Sequence, residues 1–374
     1  MKALAIVGRT ELLWGAVDAF FGAPELPVEA LGLKFPNPVG LAAGLDKYAS
    51  ALPAWAALGF GFTELGGVTQ HPQPGNPAPR LFRAVSEEAI INRMGFNNPG
   101  AEALAATLAD WRAKGRWPHH PVGINLGKSK ITPLEGAAKD YAASVRALWP
   151  LADFFVVNVS SPNTPNLRQL QDKEALERIL TEIGEENAGK EIGDRRQEIE
   201  KGQGGGEHRT LNIEHRTSNG ERGEGKGKPI LVKVSPDLSL DALDDLLELA
   251  LARRVAGIVA INTTTERPQT TDASVQKIYA EAGGLSGAPL KSRSTEMIRH
   301  IYRRTEGKLA VIGVGGIFSA EDAWEKLRAG ASLVQVYTGL IYRGPGLAKR
   351  IVTGLAKRME QAGMTELKQA VGSE

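Results

Sequence analysis

The chain has 374 residues, no cysteine, and 45 basic against 43 acidic side chains, a formal net charge of +2. That near balance removes the electrostatic case for nucleic acid. The missing thiols exclude disulfides, thiolate metal sites, iron–sulfur clusters held by this chain and a cysteine base or nucleophile. No apolar run reaches the roughly 20 residues of a membrane-spanning helix, and the start lacks the basic region, apolar core and cleavage site of a secretory signal.

Residues 1–27 are predicted as an N-terminal helical segment. Leu12, Leu13, Trp14, Val17, Phe20 and Phe21 fall mostly on one helical face, and Gly22 and Pro24 end the helix. That face either packs on the body of the protein or meets a membrane or lipid-like ligand. Residues 28–35 read as a small hairpin turning near Leu31-Gly32. A repeat then begins. Apolar, β-branched runs at 38–44, 60–68, 121–126, 154–159, 230–234, 257–262, 309–316 and 333–337 predict buried strands. Helical patterns follow them at about 48–58, 100–114, 134–148, 173–183, 235–253, 289–305, 320–329 and 346–361. The long loop 71–97 carries a second hairpin, around Leu81-Phe82-Arg83 and Ala89-Ile90-Ile91.

Residues 184–228 break the rhythm. They are rich in Gly, Glu, Arg and Lys, nearly free of large apolar side chains, and repeat Glu-His-Arg-Thr at 207–210 and 214–217. Such a composition cannot offset its ordering entropy, so a mobile surface insertion is expected. Its His208 and His215 lack the spacing and supporting ligands of a metal site.

Alternation of eight strands with eight helices predicts an α/β fold, a (β/α)8 TIM barrel over residues 28–374 with a short N-terminal helical extension. Function in such barrels sits at the C-terminal strand ends. The fourth run ends in Asn158-Val159-Ser160-Ser161-Pro162-Asn163-Thr164-Pro165. Two prolines stiffen a loop that holds the amides of Asn158 and Asn163 and the hydroxyls of Ser161 and Thr164 together. Taken alone, this stretch reads equally well as a turn. Polar residues recur, however, at the other strand ends: Lys47 after the first, Asn125 on the third, Lys233 on the fifth, Asn262-Thr263 on the sixth, Gly315-Gly316 on the seventh, Tyr337-Thr338-Gly339 on the eighth. That recurrence favours a site.

The glycines of the last two strand ends, with Gly283 to Gly287 as a third wall, suit backbone capture of a phosphate, although tight turns use the same residues. No Gly-x-Gly-x-x-Gly stands in a Rossmann setting, which favours a mononucleotide over a dinucleotide. Lys233 inside an apolar strand requires an anionic partner, a ligand or a structural carboxylate. Lys47 could pair with Asp46 or with a ligand carboxylate. Asn92-Arg93-Met94-Gly95-Phe96-Asn97-Asn98 adds further amides, whose burial would suit a heterocycle of alternating C=O and N–H groups.

These motifs, with Ala42-Ala43-Gly44-Leu45-Asp46-Lys47, Gly123-Ile124-Asn125-Leu126-Gly127-Lys128, Asn262-Thr263-Thr264 and Val314-Gly315-Gly316-Ile317, make the chain resemble dihydroorotate dehydrogenase from about residue 28 to 360. Ser161, where one branch carries cysteine, points to class 2, the quinone-dependent, membrane-associated branch. The resemblance implies oxidation of dihydroorotate to orotate in pyrimidine synthesis, with flavin mononucleotide (FMN) as hydride acceptor and a quinone as electron acceptor. It implies a peripheral place on the cytoplasmic face of the cell membrane, and neither nucleic acid nor an obligate protein partner. Ser161 would take a proton from C5 with Thr164 in the relay, and Lys47 would hold the substrate carboxylate. Asn92, Arg93, Met94, Gly95, Phe96, Asn97, Asn158, Asn163, Asn262 and Thr263 would surround the pyrimidine. Ala43, Gly44, Gly67, Asn125, Asn158, Lys233, Ile261, Gly287, Gly316, Tyr337 and Thr338 would line the flavin.

Three departures qualify the likeness. Gly67 stands where many relatives have a hydroxyl residue, and Ile261 replaces a polar residue. Class 2 members usually begin with two helices that form a quinone tunnel, whereas about one is expected here, implying a truncated start or a reduced quinone site. The competing readings are a barrel flavoprotein acting on another cyclic amide, such as dihydrouracil or a dihydrouridine in RNA, and a non-catalytic barrel that binds a phosphate ligand.

Overall fold

A computed structural model describes residues 1–164, 166–203 and 227–374. Pro165 and the two Glu-His-Arg-Thr repeats, with His208 and His215, lie outside the described residues.

Eight parallel strands close into a barrel: Val39–Leu41, Phe62–Val68, Val122–Leu126, Phe154–Asn158, Ile230–Val234, Gly257–Ala260, Ala310–Val314 and Leu333–Val336. They pair in chain order, and the eighth returns to the first through Val334↔Val39 and Val336↔Leu41. The fold is therefore the expected (β/α)8 barrel. Its strands are buried on both faces, which is why they read as unbroken apolar runs.

The hairpin Val28–Ala30 and Leu33–Phe35 turns through Leu31 and Gly32, both in the left-handed region. It closes the N-terminal end of the barrel: Leu33 and Phe35 join Phe62, Phe154, Val156, Leu231, Val259, Ile312 and Leu333 in one buried cluster. Phe35 and Phe154 both meet Phe62 edge-on, at 5.4 and 6.3 Å between centroids. Gly123 makes room for this layer, because a Cβ there would stand 2.1 Å from Phe154 Cζ. The lower half of the barrel is thus dry. The upper half carries Glu64, Asn125, Asn158, Lys233 and Gln335.

Three local expectations change. The N-terminal segment forms two helices, Lys2–Arg9 and Glu11–Phe21, because Thr10 adopts extended backbone between them. The single helix expected there is corrected to two. Both helices pack on Leu52–Ala57, with Trp14 Nε1 donating to Pro53 O at 2.9 Å. The fourth helix runs Lys173–Gln203, past the expected end at 183, so the first part of the expected insertion is helical. There Asn187 accepts from Trp149 Nε1 at 2.9 Å and from Lys228 N at 3.0 Å, and donates to Lys228 O at 2.9 Å. The stretch 283–287 forms a strand, Gly284–Gly287, on the hairpin Leu81–Ala84 and Ala89–Asn92. This antiparallel sheet, backed by helix Ala273–Tyr279 through Val275 and Tyr279, reaches the barrel mouth. No helix among the described residues is long and apolar enough to cross a membrane.

Candidate active site

A cleft with about 990 Å³ of empty space opens at the C-terminal strand ends. Ala43, Gly44, Lys47, Gly67, Asn92, Met94, Gly95, Phe96, Asn125, Asn158, Ser161, Asn163, Lys233, Ile261, Asn262, Thr263, Gly287, Gly316, Tyr337 and Thr338 line it, all expected from sequence. Three expected residues do not. Arg93 turns away to pair with Glu281 at 2.7 Å, its guanidinium 4.5 Å from the Phe82 ring centre. Asn97 stands behind Lys47 and accepts from its Nζ at 2.9 Å. Thr164 is buried outside the lining, and its Oγ1 makes no hydrogen bond among the described residues.

The loop after the fourth strand positions Ser161. Its Oγ accepts from the Asn163 N–H at 3.3 Å, and Asn163 Nδ2 donates to Asn92 Oδ1 at 3.1 Å, tying this loop to the hairpin above the mouth. Arg168 braces the loop from below. Its guanidinium donates to Ser160 O at 3.2 Å and Thr263 O at 3.1 Å and pairs with Asp237 at 2.8 Å. Neither Arg168 nor Asp237 stands out in the sequence, since their partners are distant in the chain.

Amides from successive strands form a directed chain inside the mouth. Asn125 Nδ2 donates to Glu64 Oε1 at 2.6 Å, Asn158 Nδ2 to Asn125 Oδ1 at 2.9 Å, and Asn262 Nδ2 to Asn158 Oδ1 at 3.2 Å. On the other side Gln335 Nε2 donates to Glu64 Oε2. Glu64 and Gln335 were not anticipated. A charged residue inside an apolar strand was the available signal for Glu64, the same one that marked Lys233.

Charge at the cleft is positive. Lys233 is 5% exposed and makes no ion pair among the described residues. Burial, and then the charge of Arg80, push the Lys47 ammonium down to about 8. Asp46 does not pair with Lys47. It accepts instead from the N–H groups of Ser50 and Ala51 and from Trp55 Nε1, at 2.8 to 3.0 Å, and burial raises its pKa. Among the described residues Lys47 therefore has a single neutral partner and an open side towards the cleft.

The far wall suits an anionic tail. Gly316 has φ +68°, and a Cβ there would lie 2.5 Å from Lys291 Cα, so backbone alone fits beside the cleft. Ser286 Oγ and Thr338 Oγ1 meet at 2.9 Å nearby. Thr263 Oγ1 and Gln335 Oε1 are buried without a partner among the described residues, and both residues line the cleft. Orphan polar atoms, an unpaired ammonium and a glycine wall together fit a planar polar ring carrying a phosphate. At Gly67 a hydroxyl side chain has no room, because a Cβ would stand 2.4 Å from the Phe96 ring. Ile261 packs against Gly315, with Cγ1 3.6 Å from where a Cβ would be. Among the described residues no group of three or more His, Cys, Asp or Glu could hold a metal ion.

The family model described as dihydroorotate dehydrogenase matches residues 25–359. A dihydroorotate dehydrogenase (quinone) of Gloeobacter violaceus is 49% identical over 371 residues, covering 98% of this chain and 92% of that protein. One from a Cyanothece species is 48% identical over 345 residues, with coverage of 91% and 82%. Among solved structures, DHODH from Eimeria tenella in complex with ferulenol superposes with a TM-score of 0.80 at 37% identity, covering 96% of this chain and 93% of that one. Its ligand-free form gives 0.79 at 36% identity and 98% of both chains.

Proposed function

The chain belongs to the dihydroorotate dehydrogenase family and oxidises dihydroorotate to orotate in pyrimidine synthesis, and from that premise we propose how its cleft divides the work. The flavin would be FMN, held by Ala43, Gly44, Asn125, Lys233, Gly287, Gly316, Tyr337 and Thr338. When bound, it would supply a hydride acceptor for C6 of dihydroorotate and a route for the electrons to a quinone. The observation that carries this reading is Lys233, a buried ammonium with no ion partner among the described residues, facing the same cleft as Ser161. It stabilises negative charge that develops on a bound ring.

Ser161 Oγ takes the proton from C5. The Asn163 N–H already points at that oxygen and stabilises the negative charge it gains as its own hydroxyl proton leaves. As Ser161 takes that proton it gives up its own hydroxyl proton, which passes through loop water to Thr164 Oγ1, and that hydroxyl, with no partner among the described residues, hands one of its own on to solvent. Asn92, Asn158, Asn163, Asn262 and Thr263 satisfy the carbonyls and ring N–H groups of the pyrimidine, and the Lys47 ammonium holds its carboxylate. Arg93 and Asn97 act indirectly, the first by bracing the hairpin, the second by orienting Lys47.

The N-terminal helices supply the contact with a quinone-bearing membrane, at its cytoplasmic face. Leu4, Val7, Val17 and Phe21 pack inward on the core, while Leu12 is 83% and Phe20 77% exposed. Such side chains suit a lipid surface. The visible spectrum tests the whole reading: the purified protein is expected to be yellow and to bleach anaerobically with dihydroorotate. Absent flavin bands, or bands that dihydroorotate leaves unchanged, would overturn it.

A further inference from the structure

Of all residues on the eight barrel strands, Glu64 and Lys233 alone carry charge. Lys233 faces the cleft. Glu64 is fully buried, at 0% exposure, and does not line it. It stands one step behind, with Oε1 2.6 Å from Asn125 Nδ2 and Oε2 bonded by Gln335 Nε2. A buried carboxylate is costly to keep, and the mechanism above gives it no task.

We propose that Glu64 is a positioning residue that sets the hydrogen-bond polarity of the cleft. The inference rests on the dihydroorotate reading. A carboxylate can only accept, whereas the two ends of an amide are nearly equal in size and opposite in hydrogen-bond sense. Glu64 therefore forces Asn125 and Gln335 to turn their NH2 groups towards it. Asn125 Oδ1 is left facing Asn158 and takes its NH2 at 2.9 Å. Asn158 Oδ1 is then the acceptor for Asn262 Nδ2 at 3.2 Å and Ser160 Oγ at 3.1 Å. Asn262 is left with Oδ1, which accepts from the Thr263 N–H at 2.8 Å. Gln335 keeps an Oε1 with no partner among the described residues. One anion thus orients four amides that line the cleft, and through them decides which atoms a ligand finds as donors and which as acceptors.

Glu64→Gln tests this with nearly unchanged shape. Its amide cannot accept from both neighbours through two oxygens, so Asn125 or Gln335 must flip or lose its bond. Orotate and FMN dissociation constants, read by the flavin absorbance shift and by titration of deflavinated protein, are expected to rise about tenfold, the effect of one mispaired polar contact. The double variant Glu64→Gln with Asn125→Asp moves the carboxylate one link along the chain and keeps Asn158, Asn262 and Gln335 as they are. It is expected to recover most of the lost orotate affinity, which a merely space-filling role would not predict. Binding within twofold of the parent in Glu64→Gln overturns the proposal, as does a double variant no tighter than the single one. If Glu64→Gln does not fold, the double variant decides: folding with orotate binding supports the proposal, and failure of either overturns it. A parent protein without flavin, or not bleached by dihydroorotate, defeats the functional reading instead.

Discussion

Replacing Lys47 with methionine keeps most of the aliphatic stem and deletes the ammonium. In the free protein that ammonium donates to Asn97 Oδ1 at 2.9 Å and has no carboxylate partner among the described residues. A hydrogen bond to a charged group contributes roughly 1.5–3 kcal/mol, so the orotate dissociation constant should rise about 10- to 150-fold. The pH dependence gives an independent check. The ammonium is held near 8, chiefly by burial and secondarily by Arg80. Only the protonated form attracts the substrate carboxylate. At pH 7 about nine-tenths of the lysine is charged and at pH 9 about one-tenth, so orotate should bind roughly tenfold more weakly at pH 9. The direction is fixed: affinity is full below 8 and lost as pH rises through it. Titration of orotate from pH 7 to 9 at constant ionic strength, followed by flavin absorbance, measures both effects. A flat profile in the parent, or the same slope surviving in Lys47→Met, would refute the assignment of Lys47 to the carboxylate.

Ser161→Ala should keep flavin and orotate binding but slow flavin reduction by about 10²- to 10⁴-fold in single-turnover stopped flow, the usual worth of a positioned base; a parent-like rate would remove Ser161 from that role. Leu12→Glu with Phe20→Glu should leave reduction by dihydroorotate intact while weakening vesicle binding and slowing re-oxidation by long-chain quinones. Equal slowing of both half-reactions would mean that these side chains serve packing. Asn187→Ala removes the partner of Trp149 Nε1 and Lys228 N at the end of the barrel away from the cleft. It should lower stability by about 1–3 kcal/mol, seen in the melting temperature, with turnover unchanged. For the same reason, deletion of 185–227 should destabilise the barrel, whereas a deletion beginning after 203 spares this contact.

The barrel and most of its site were legible because each depends on local pattern. A strand buried on both faces must be apolar along its length, so eight such runs alternating with helices are visible without any contact. Function at the C-terminal strand ends then selects Lys47, Asn125, Asn158, Ser161, Lys233, Asn262, Thr263, Gly316, Tyr337 and Thr338 by position, the family resemblance adds others, and twenty of the residues so named do line one cleft. Thr164, Arg93 and Asn97 were named through the resemblance and do not line it, because a place in a loop motif does not say which way a side chain turns. Arg93 turned to Glu281, 188 residues away.

What sequence alone determined is the order and type of the strands, the polar rim above them and the family. Tertiary structure decided the partners. Gly284–Gly287 has little strand propensity of its own and becomes a strand because Ala89–Asn92 offers it an edge. Thr10 separates two helices that both bury their inner faces on Leu52–Ala57. Asp46 spends its oxygens on backbone and indole N–H groups and leaves Lys47 free for a ligand. Glu64 and Gln335 bond across 271 residues of chain. Periodicity reports the environment of each residue separately, but a hydrogen bond is a relation between two, and barrel closure is what brings those pairs within reach.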